Sequence, residues 1–490
     1  MESLNQVMLR NVFHVLPELL WCGFGVMLML LQPFVKSRQV LTFLALVGAA
    51  AGTLVTFFTF VGSAFSGLIQ FDTFSLFFHW LVGLVAFLVI LSSDSYLQRE
   101  NLDGAEFYAL VLFATTGMGV LASAQELLTA FIGLEMSSIA SYILAGYRRD
   151  SIKASESAVK YFLLGSFATA FFLYGIALVY GVTGSTNLAA LSETNSNGTL
   201  MRLGLTLILV GLGFKVAAAP FQIWTPDVYE GAPTPVTALF SAGPKAATFA
   251  LLLRIFSTVH AATDYWFWAF WVLATLTMFV GNLGALVQNN VKRMLAYSSI
   301  AHAGYTLVAF AAVTSVRGDP EAVAAAYAAV LFYLASYSLV SVGAFTVVSE
   351  IGGQGERYLT YDEYAGLGTR QPFAAAALTL FLLSLLGLPI TAGFFGKFYI
   401  FKAAIRSDLV WLAVFIAINT IIGAYYYFRL IVMMYMREYK GTVPADASHG
   451  MSPTAAMVVA VTALITLYLG LAPNHILGIV LSQPLILSTR

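Results

Sequence analysis

The chain has 490 residues, 59% hydrophobic and only 10% charged, and its 24 Lys and Arg are matched by 24 Asp and Glu. With a mean hydropathy of +0.84 it is no soluble domain, and a net charge of zero leaves no basic face for nucleic acid. The single cysteine, Cys22, can neither close an internal disulfide nor hold an iron–sulfur cluster. Runs of about twenty apolar residues recur from end to end, each able to cross a hydrocarbon core roughly 30 Å thick. The expected class is therefore an all-α polytopic membrane protein; a β-barrel would need alternating segments of about ten residues. The opening "MESLNQVMLRNVFHVLPELL" lacks a short apolar core with a small-residue cleavage site, so a removable signal is not expected.

In chain order, about fourteen spans are predicted, centred on 15–33, 39–62, 72–93, 105–122, 124–146, 155–181, 200–219, 233–257, 265–288, 292–314, 321–349, 372–404, 408–437 and 452–481. Residues 220–232 read as an irregular or half-helical piece, and 372–404 is too long for one straight span. Connections are short. The longest are Thr183–Thr199 and Gly352–Arg370; the "GGQGE" of the second reads as a solvated loop, since no strand precedes it and no helix start follows it.

Loops after odd-numbered spans carry Lys36, Arg38, Arg99, Arg148, Arg149, Lys153, Lys292, Arg293, Arg357, Arg370, Arg437 and Lys440. The opposite side carries Arg10, Arg202, Arg254, Arg317, Lys402, Arg406 and Arg490. This bias places the odd-numbered loops in the cytoplasm and both termini outside.

Five basic residues remain, and all fall within spans: Lys160, Lys215, Lys245, Lys397 and Arg429. Glu135 lies in the middle of the fifth span. A charge at mid-bilayer costs about 2.5–3.5 kcal/mol on insertion scales, so such groups are expected to face the bundle interior and serve a pathway. Three lysines stand near helix-disturbing prolines: Lys215 before Pro220, Lys245 after Pro244, and Lys397 after Pro389. A proline frees a carbonyl, which in lipid must be re-satisfied by protein or line water. Lysine beside such a break is suited to an internal proton site; kinking prolines and snorkelling lysines are the bland alternative, and fit Lys402 and Arg406. Lys160 lies only a turn or two into its span and can either snorkel or face inward. By helical rise it is roughly 10 Å deep and Glu135 roughly 16 Å, so the two can couple without necessarily touching. Arg429, always protonated, suits a structural place among tyrosines. His302 is mid-span, a relay or a hydrogen-bonded core histidine. His14, His79, His260, His449 and His475 show no metal-ligand spacing. The two broken segments, around Pro220 and Pro389, hint at a paired-repeat transporter.

Three segments are more specific: "GFKVAAAPFQIWTPDVYEGAPTPVTALFSAGPKAATFALLLRI", "VKRMLAYSSIAHAGY" and "LSLLGLPITAGFFGKFYIF". They resemble the antiporter-like subunits of respiratory complex I, above all the subunit N (subunit 2) family of bacterial proton-translocating NADH:quinone oxidoreductase, over essentially the whole chain. The resemblance implies two inverted five-helix repeats with broken helices 7 and 12: three N-terminal helices in 1–104, repeats in 105–257 and 265–437, and a last helix in 452–490. It implies proton-transfer roles for Glu135, Lys160, Lys215, Lys245, His302 and Lys397. It also implies neighbouring complex I membrane-arm subunits and lipids as partners, a bacterial inner membrane location, and no cofactor in this chain, with flavin, iron–sulfur clusters and quinone held by partner subunits. One departure stands out: Gln222 occupies a place where many relatives carry histidine, and glutamine cannot carry a proton as a charged intermediate. The competing expectations are a subunit of a multisubunit sodium/proton antiporter or membrane-bound hydrogenase, and a free-standing solute symporter, which the lack of polar substrate-binding clusters disfavours.

Overall fold

A computed structural model describes residues 8, 11–59, 61–193, 198–259, 263–315, 320–439 and 450–474. His260, His449, His475, Arg10, Arg317, Lys440, Arg490 and the end of the last predicted span lie outside the described residues. The long helices are α1 (Leu16–Leu31), α2 (Arg38–Val55), α3 (Thr73–Arg99), α4 (Gly104–Ser123), α5 (Leu127–Ala145), α6 (Ile152–Thr183), α7 (Thr199–Val216), α8 (Trp224–Gly231) and α9 (Thr234–Thr258). They continue with α10 (Thr263–Leu286), α11 (Val291–Val313), α12 (Pro320–Ile351), α13 (Pro372–Leu386), α14 (Ala392–Arg406), α15 (Val410–Met436) and α16 (Pro453–Leu471). Among the described residues twelve helices, α7 and α8 together counting as one, are long and apolar enough to cross a membrane, or up to thirteen if the segment Tyr361–Arg370 is joined to α13. The 16-residue α1 is shorter, and the over-long 372–404 segment divides into α13 and α14.

Local chemistry sets these boundaries. Asp72 and Ser75 form a reciprocal capping box at the start of α3. Ser151, Asn290 and Ser452 accept backbone N–H groups at the starts of α6, α11 and α16. Proline occupies the first turn of α1, α9, α13 and α16, where its missing N–H costs nothing. One feature departs from an all-α chain: a short antiparallel hairpin pairs Gly62–Ala64 with Ile69–Phe71. It is too short and too irregular in period to read as strands from the sequence.

α9 is buried along nearly its whole length and serves as the axis of the bundle, whereas α2, α6, α10 and α15 lie outside and expose Phe43, Phe167, Trp268 and Ile421. Apolar residues outside and all round suit a hydrocarbon solvent. Two close helix crossings hold the interior together. A Cβ on Gly117 of α4 would lie 2.4 Å from the backbone N of Ser137 on α5, and one on Gly281 of α10 would lie 2.4 Å from the N of Ala301 on α11. Backbones approach this closely only where the side chain is a hydrogen.

The loops after predicted spans three, five, nine and eleven meet on one face. Arg148 lies 3.5 Å from Glu100 and 3.7 Å from Glu356; Lys292 donates to Glu356 at 2.8 Å and to the Ala232 carbonyl at 2.7 Å. Glu356 also accepts from the N–H and the hydroxyl of Thr234. Three sequence expectations are corrected here. "GGQGE" is not a solvated loop, because its glutamate is the buried hub of this network. Lys292 is not a loop charge: it is fully buried at the first turn of α11. Arg254 is also no loop charge, since it is buried on α9 and paired to Asp72 at 2.7 Å, which removes it from the charge tally of that face.

Burial pushes the Glu356 carboxyl up, but Lys292, Thr234 and Arg148 together hold it below its ordinary value of 4.5. A depressed folded-state pKa contributes stability that is present above the unfolded value and lost as pH falls through the folded value. Glu356→Gln leaves the Lys292 ammonium buried without its counter-charge, so thermal unfolding in detergent should show a loss of about 3–5 kcal/mol at neutral pH. The gap between variant and parent should narrow as pH falls below 4.5; an equal gap at all pH values contradicts the ion pair.

Candidate functional site

The break after α7 re-pairs several of its backbone groups. Ala217 turns into the left-handed region (φ 62°) and the N–H of Ala218 reaches back to the Gly213 carbonyl at 2.8 Å. The Trp224 indole donates to the Phe214 carbonyl, and the Ala219 N–H donates to Thr277 on α10. Lys215 sits one residue before this end, 5% exposed. Its ammonium donates to the Tyr142 hydroxyl at 3.1 Å and lies 4.9 and 5.2 Å from the ring centres of Tyr142 and Tyr161. Aromatic faces stabilise a cation where carboxylates are scarce.

Lys397 uses the second break directly. α13 ends at Gly387 (φ 92°), whose N–H and that of Leu388 close onto the Leu383 carbonyl. The Leu386 carbonyl left over accepts from Lys397 at 2.9 Å, and the ammonium rests 4.7 Å from the Tyr305 ring. The carbonyl that Pro389 itself would free is that of Leu385; the lysine instead takes the Leu386 carbonyl left over by the helix ending at Gly387. Lys245 differs from this expectation. α9 runs unbroken through Pro244, and Lys245, 3% exposed, donates to the carbonyl and hydroxyl of Ser299 on α11.

His302, one turn after Ser299 on the same helix, stands between the last two lysines. Its Nδ1 is 2.6 Å from the Tyr333 hydroxyl and its Nε2 3.3 Å from that of Tyr427. One cavity of about 10 Å³ is lined by Lys245, Ser299, His302 and Tyr337. Another of about 10 Å³ joins His302 and Tyr333 to Ser384 and Gly393 at the second break. Each is near the size that holds one water molecule. Between Lys215 and Lys245 runs a relay of rings: Tyr161 stacks on Trp224 at 4.5 Å, Trp224 meets Tyr229 at 6.1 Å, and Lys245 lies 5.7 Å from the Tyr229 ring. The structure therefore brings Lys215, Lys245, His302 and Lys397 into one buried row.

Glu135 and Lys160 share no hydrogen bond with this row. Glu135 is half-buried and accepts from Thr169 on α6 at 2.8 Å. Lys160 does not face the interior; its side chain is 40% exposed and pairs with Asp227 at 2.7 Å and Glu156 at 2.6 Å. Asp227, on α8, holds Arg293 on its other oxygen at 2.7 Å, and Arg293 reaches Glu230, which holds Lys153. Lys153, Glu156, Asp227, Glu230 and Arg293 line a cleft of about 140 Å³ on the face of the odd-numbered loops. Asp227 and Arg293 were missed in the sequence, although Asp227 lies inside the quoted break segment and is a charge in an otherwise apolar stretch. Arg429 has the structural place expected of it, over the Tyr361 ring at 4.4 Å and bonded to Gln288 and Asn289. Gln222 lies at the first break beside Phe221 and Trp224, and touches none of the four interior bases through a hydrogen bond.

A helical membrane bundle with interrupted helices and amines stored in its interior defines an antiporter-like transport protein. Residues 124–423 match the family described as NADH:quinone oxidoreductase/Mrp antiporter, transmembrane. The chain is 47% identical over 478 residues to the NADH-quinone oxidoreductase subunit N 1 of Solibacter usitatus, and 48% identical over 490 residues to subunit N 2 of Koribacter versatilis; each match covers 96% of both chains. It is similar in structure to a chain of respiratory complex I from Thermus thermophilus, at TM-score 0.79 and 36% identity over 96% of this chain and all of that one. A chain of the Mrp complex from Dietzia shares the fold at TM-score 0.83 with 20% identity over 97% of this chain and 96% of that one. The chain belongs to the NADH-quinone oxidoreductase subunit N family.

Enclosure of the row is directly measurable. A membrane-impermeant amine reagent applied to sealed vesicles of either orientation should modify Lys153, whose side chain is 72% exposed, from the odd-loop side and leave Lys215, Lys245 and Lys397 unmodified from both. Modification of Lys245 from either side contradicts the arrangement.

Proposed function

We propose that this chain is the proton-translocating membrane-arm subunit N of an NADH:quinone oxidoreductase in a bacterial inner membrane, working beside other membrane-arm subunits. The observation that carries this is the row of Lys215, Lys245, His302 and Lys397 buried in a chain of that family. Redox chemistry belongs to partner subunits, because one cysteine cannot ligate an iron–sulfur cluster. The sodium/proton antiporter reading has weaker support, resting on the fold and the broad family description alone.

In this reading protons reach the protein at the cleft around Asp227 and Lys160, on the cytoplasmic face, with both termini outside. A signal from quinone reduction alters the setting of Glu135 and Lys160. That changes the proton affinity of Lys215, and protons then pass between Lys215, Lys245 and Lys397, His302 relaying between the last two. The two repeats, 105–257 and 265–437, would supply one broken helix each. The magnitudes are adequate. Moving one charge against about 150–200 mV takes roughly 3.5–4.6 kcal/mol. A pKa swing of about three units supplies that, and a buried amine with a movable carboxylate commands such a range. A hydroxyl, or a guanidinium that never deprotonates, does not.

In the reconstituted complex, Lys215→Ala and Glu135→Gln should lower NADH-driven proton transport, read with a pH dye. Full pumping at full NADH:quinone activity sinks the assigned roles. Asp227→Asn should slow pumping through loss of the Lys160 contact, while Asp227→Glu restores part of it; equal rates in both contradict a cytoplasmic intake at the cleft.

A further inference from the structure

A second set of buried ionisable groups lies away from the lysine row, toward the opposite face. Glu18 of α1 and His79 of α3 are 4% and 0% exposed, and the His79 Nε2 is 2.7 Å from the Glu18 Oε1. The other ring nitrogen, Nδ1, is 2.7 Å from the Ser75 carbonyl. A carbonyl only accepts, so Nδ1 carries a hydrogen, and Nε2 is the nitrogen left to meet the carboxylate. At that distance two lone pairs would repel, so one proton lies between them. It resides on the imidazole, giving imidazolium and carboxylate, or on the carboxyl, giving imidazole and carboxylic acid. The net charge of the pair is zero in both.

The surroundings fit a working site better than a plain pin. Glu18 Oε2 is buried and makes no hydrogen bond to protein. A carboxylate oxygen in that state is costly unless a proton or a water meets it. The pair is walled by Trp21, stacked on the imidazole at 5.9 Å, and by Phe71 at 5.0 Å. Space for it is made by Gly119: a Cβ there would lie 3.1 Å from Glu18 Oε1 and 3.2 Å from His79 Nε2. The charged or titratable groups of the neighbouring elements are His14 ahead of α1, Asp72 at the start of α3 and Arg254 on α9. Asp72 accepts from both Arg254 and the Ser75 N–H at 2.7 Å, and the Ser75 carbonyl meets His79, so one residue stands between the ion pair and the imidazole. Arg254 shares α9 with Lys245, nine residues away, or about 13.5 Å along the helix.

We propose that Glu18 and His79 form a proton-loading site on the Asp72 face, the face opposite the Asp227 cleft, holding one proton at rest and taking a second on Glu18 Oε2. Loading changes the pair's charge from zero to plus one, and release restores it. This rests on the proton-translocation reading above and places a proton-binding pair outside the lysine row.

The test uses the assembled complex in proteoliposomes, with protons transported per NADH and redox-triggered infrared difference spectra measured on the same preparations. Glu18→Gln should abolish a carboxylic-acid stretch that shifts in D2O, and both Glu18→Gln and His79→Gln should lower the proton-to-NADH ratio while NADH oxidation continues. Gly119→Ala crowds the pair without removing it; it should shift the same band and serves if the other variants fail to assemble. Lys215→Ala is run beside them. If it lowers the ratio while the Glu18, His79 and Gly119 variants keep the parent ratio and spectrum, the pair is only a helix-to-helix contact and this inference falls alone. If Lys215→Ala also keeps the parent ratio, the translocation reading falls with it.

Discussion

An ammonium group taken out of water must be met by acceptors or aromatic faces, and in this bundle that requirement shapes the backbone itself. Two helices that could have crossed the bilayer unbroken stop partway, and at each stop a lysine lies within reach. At the second stop the Leu386 carbonyl, freed by the interruption, is the acceptor for Lys397. At the first, the backbone is satisfied by Trp224 and Thr277, and the Lys215 ammonium is left to Tyr142 and Tyr161. None of Lys215, Lys245 and Lys397 has a carboxylate bonded to it. A fixed ion pair would hold the proton; hydroxyls, carbonyls and rings hold the charge less tightly and leave it free to move.

The contrast with the face of the odd-numbered loops is instructive. There, Glu356 gathers Lys292, Arg148 and Thr234, and so binds the first turns of α9 and α11 to the loop after α5. Asp227 likewise joins α6, α8 and α11 through Lys160 and Arg293. The rigid ionic contacts thus sit at the rim, where they fix the helices relative to one another, and the loosely held charges sit in the middle. α8, the fragment after the first break, belongs to both: Trp224 and Tyr229 lie in the ring relay, and Asp227 and Glu230 in the rim. A displacement of that fragment would change the cleft and the neighbourhood of Lys215 together.

Much of this was legible in the amino-acid order. Apolar runs located the helices, because a membrane solvent makes length and hydropathy nearly sufficient. Lysine near proline marked the two breaks, and the over-long 372–404 segment correctly implied an interruption. What failed did so for identifiable reasons. Lys292 and Arg254 were assigned to loops because they stand near span ends, where depth depends on partners distant in sequence: Glu356 is 64 residues away and Asp72 182. Lys160 stayed open between snorkelling and facing inward, because its partner Asp227 stands 67 residues on and lies at the rim. Glu18 and His79 were overlooked although both are ionisable groups inside predicted spans; what the sequence could not announce was their contact, made between two different helices 61 residues apart. Pro244 misled in the other direction: a proline well inside a buried helix was absorbed without a break.

The central claim is that the interior amines are joined by a polar line and are not isolated in apolar packing. A high-resolution cryo-EM map of the intact assembly, with waters resolved, tests it most directly. The account predicts ordered water in the two small cavities flanking His302 and beside the Tyr161–Tyr229 relay, linking Lys215 to Lys245 and Lys245 to Lys397 at hydrogen-bond spacing. Dry, close-packed apolar contacts separating the three lysines would contradict it.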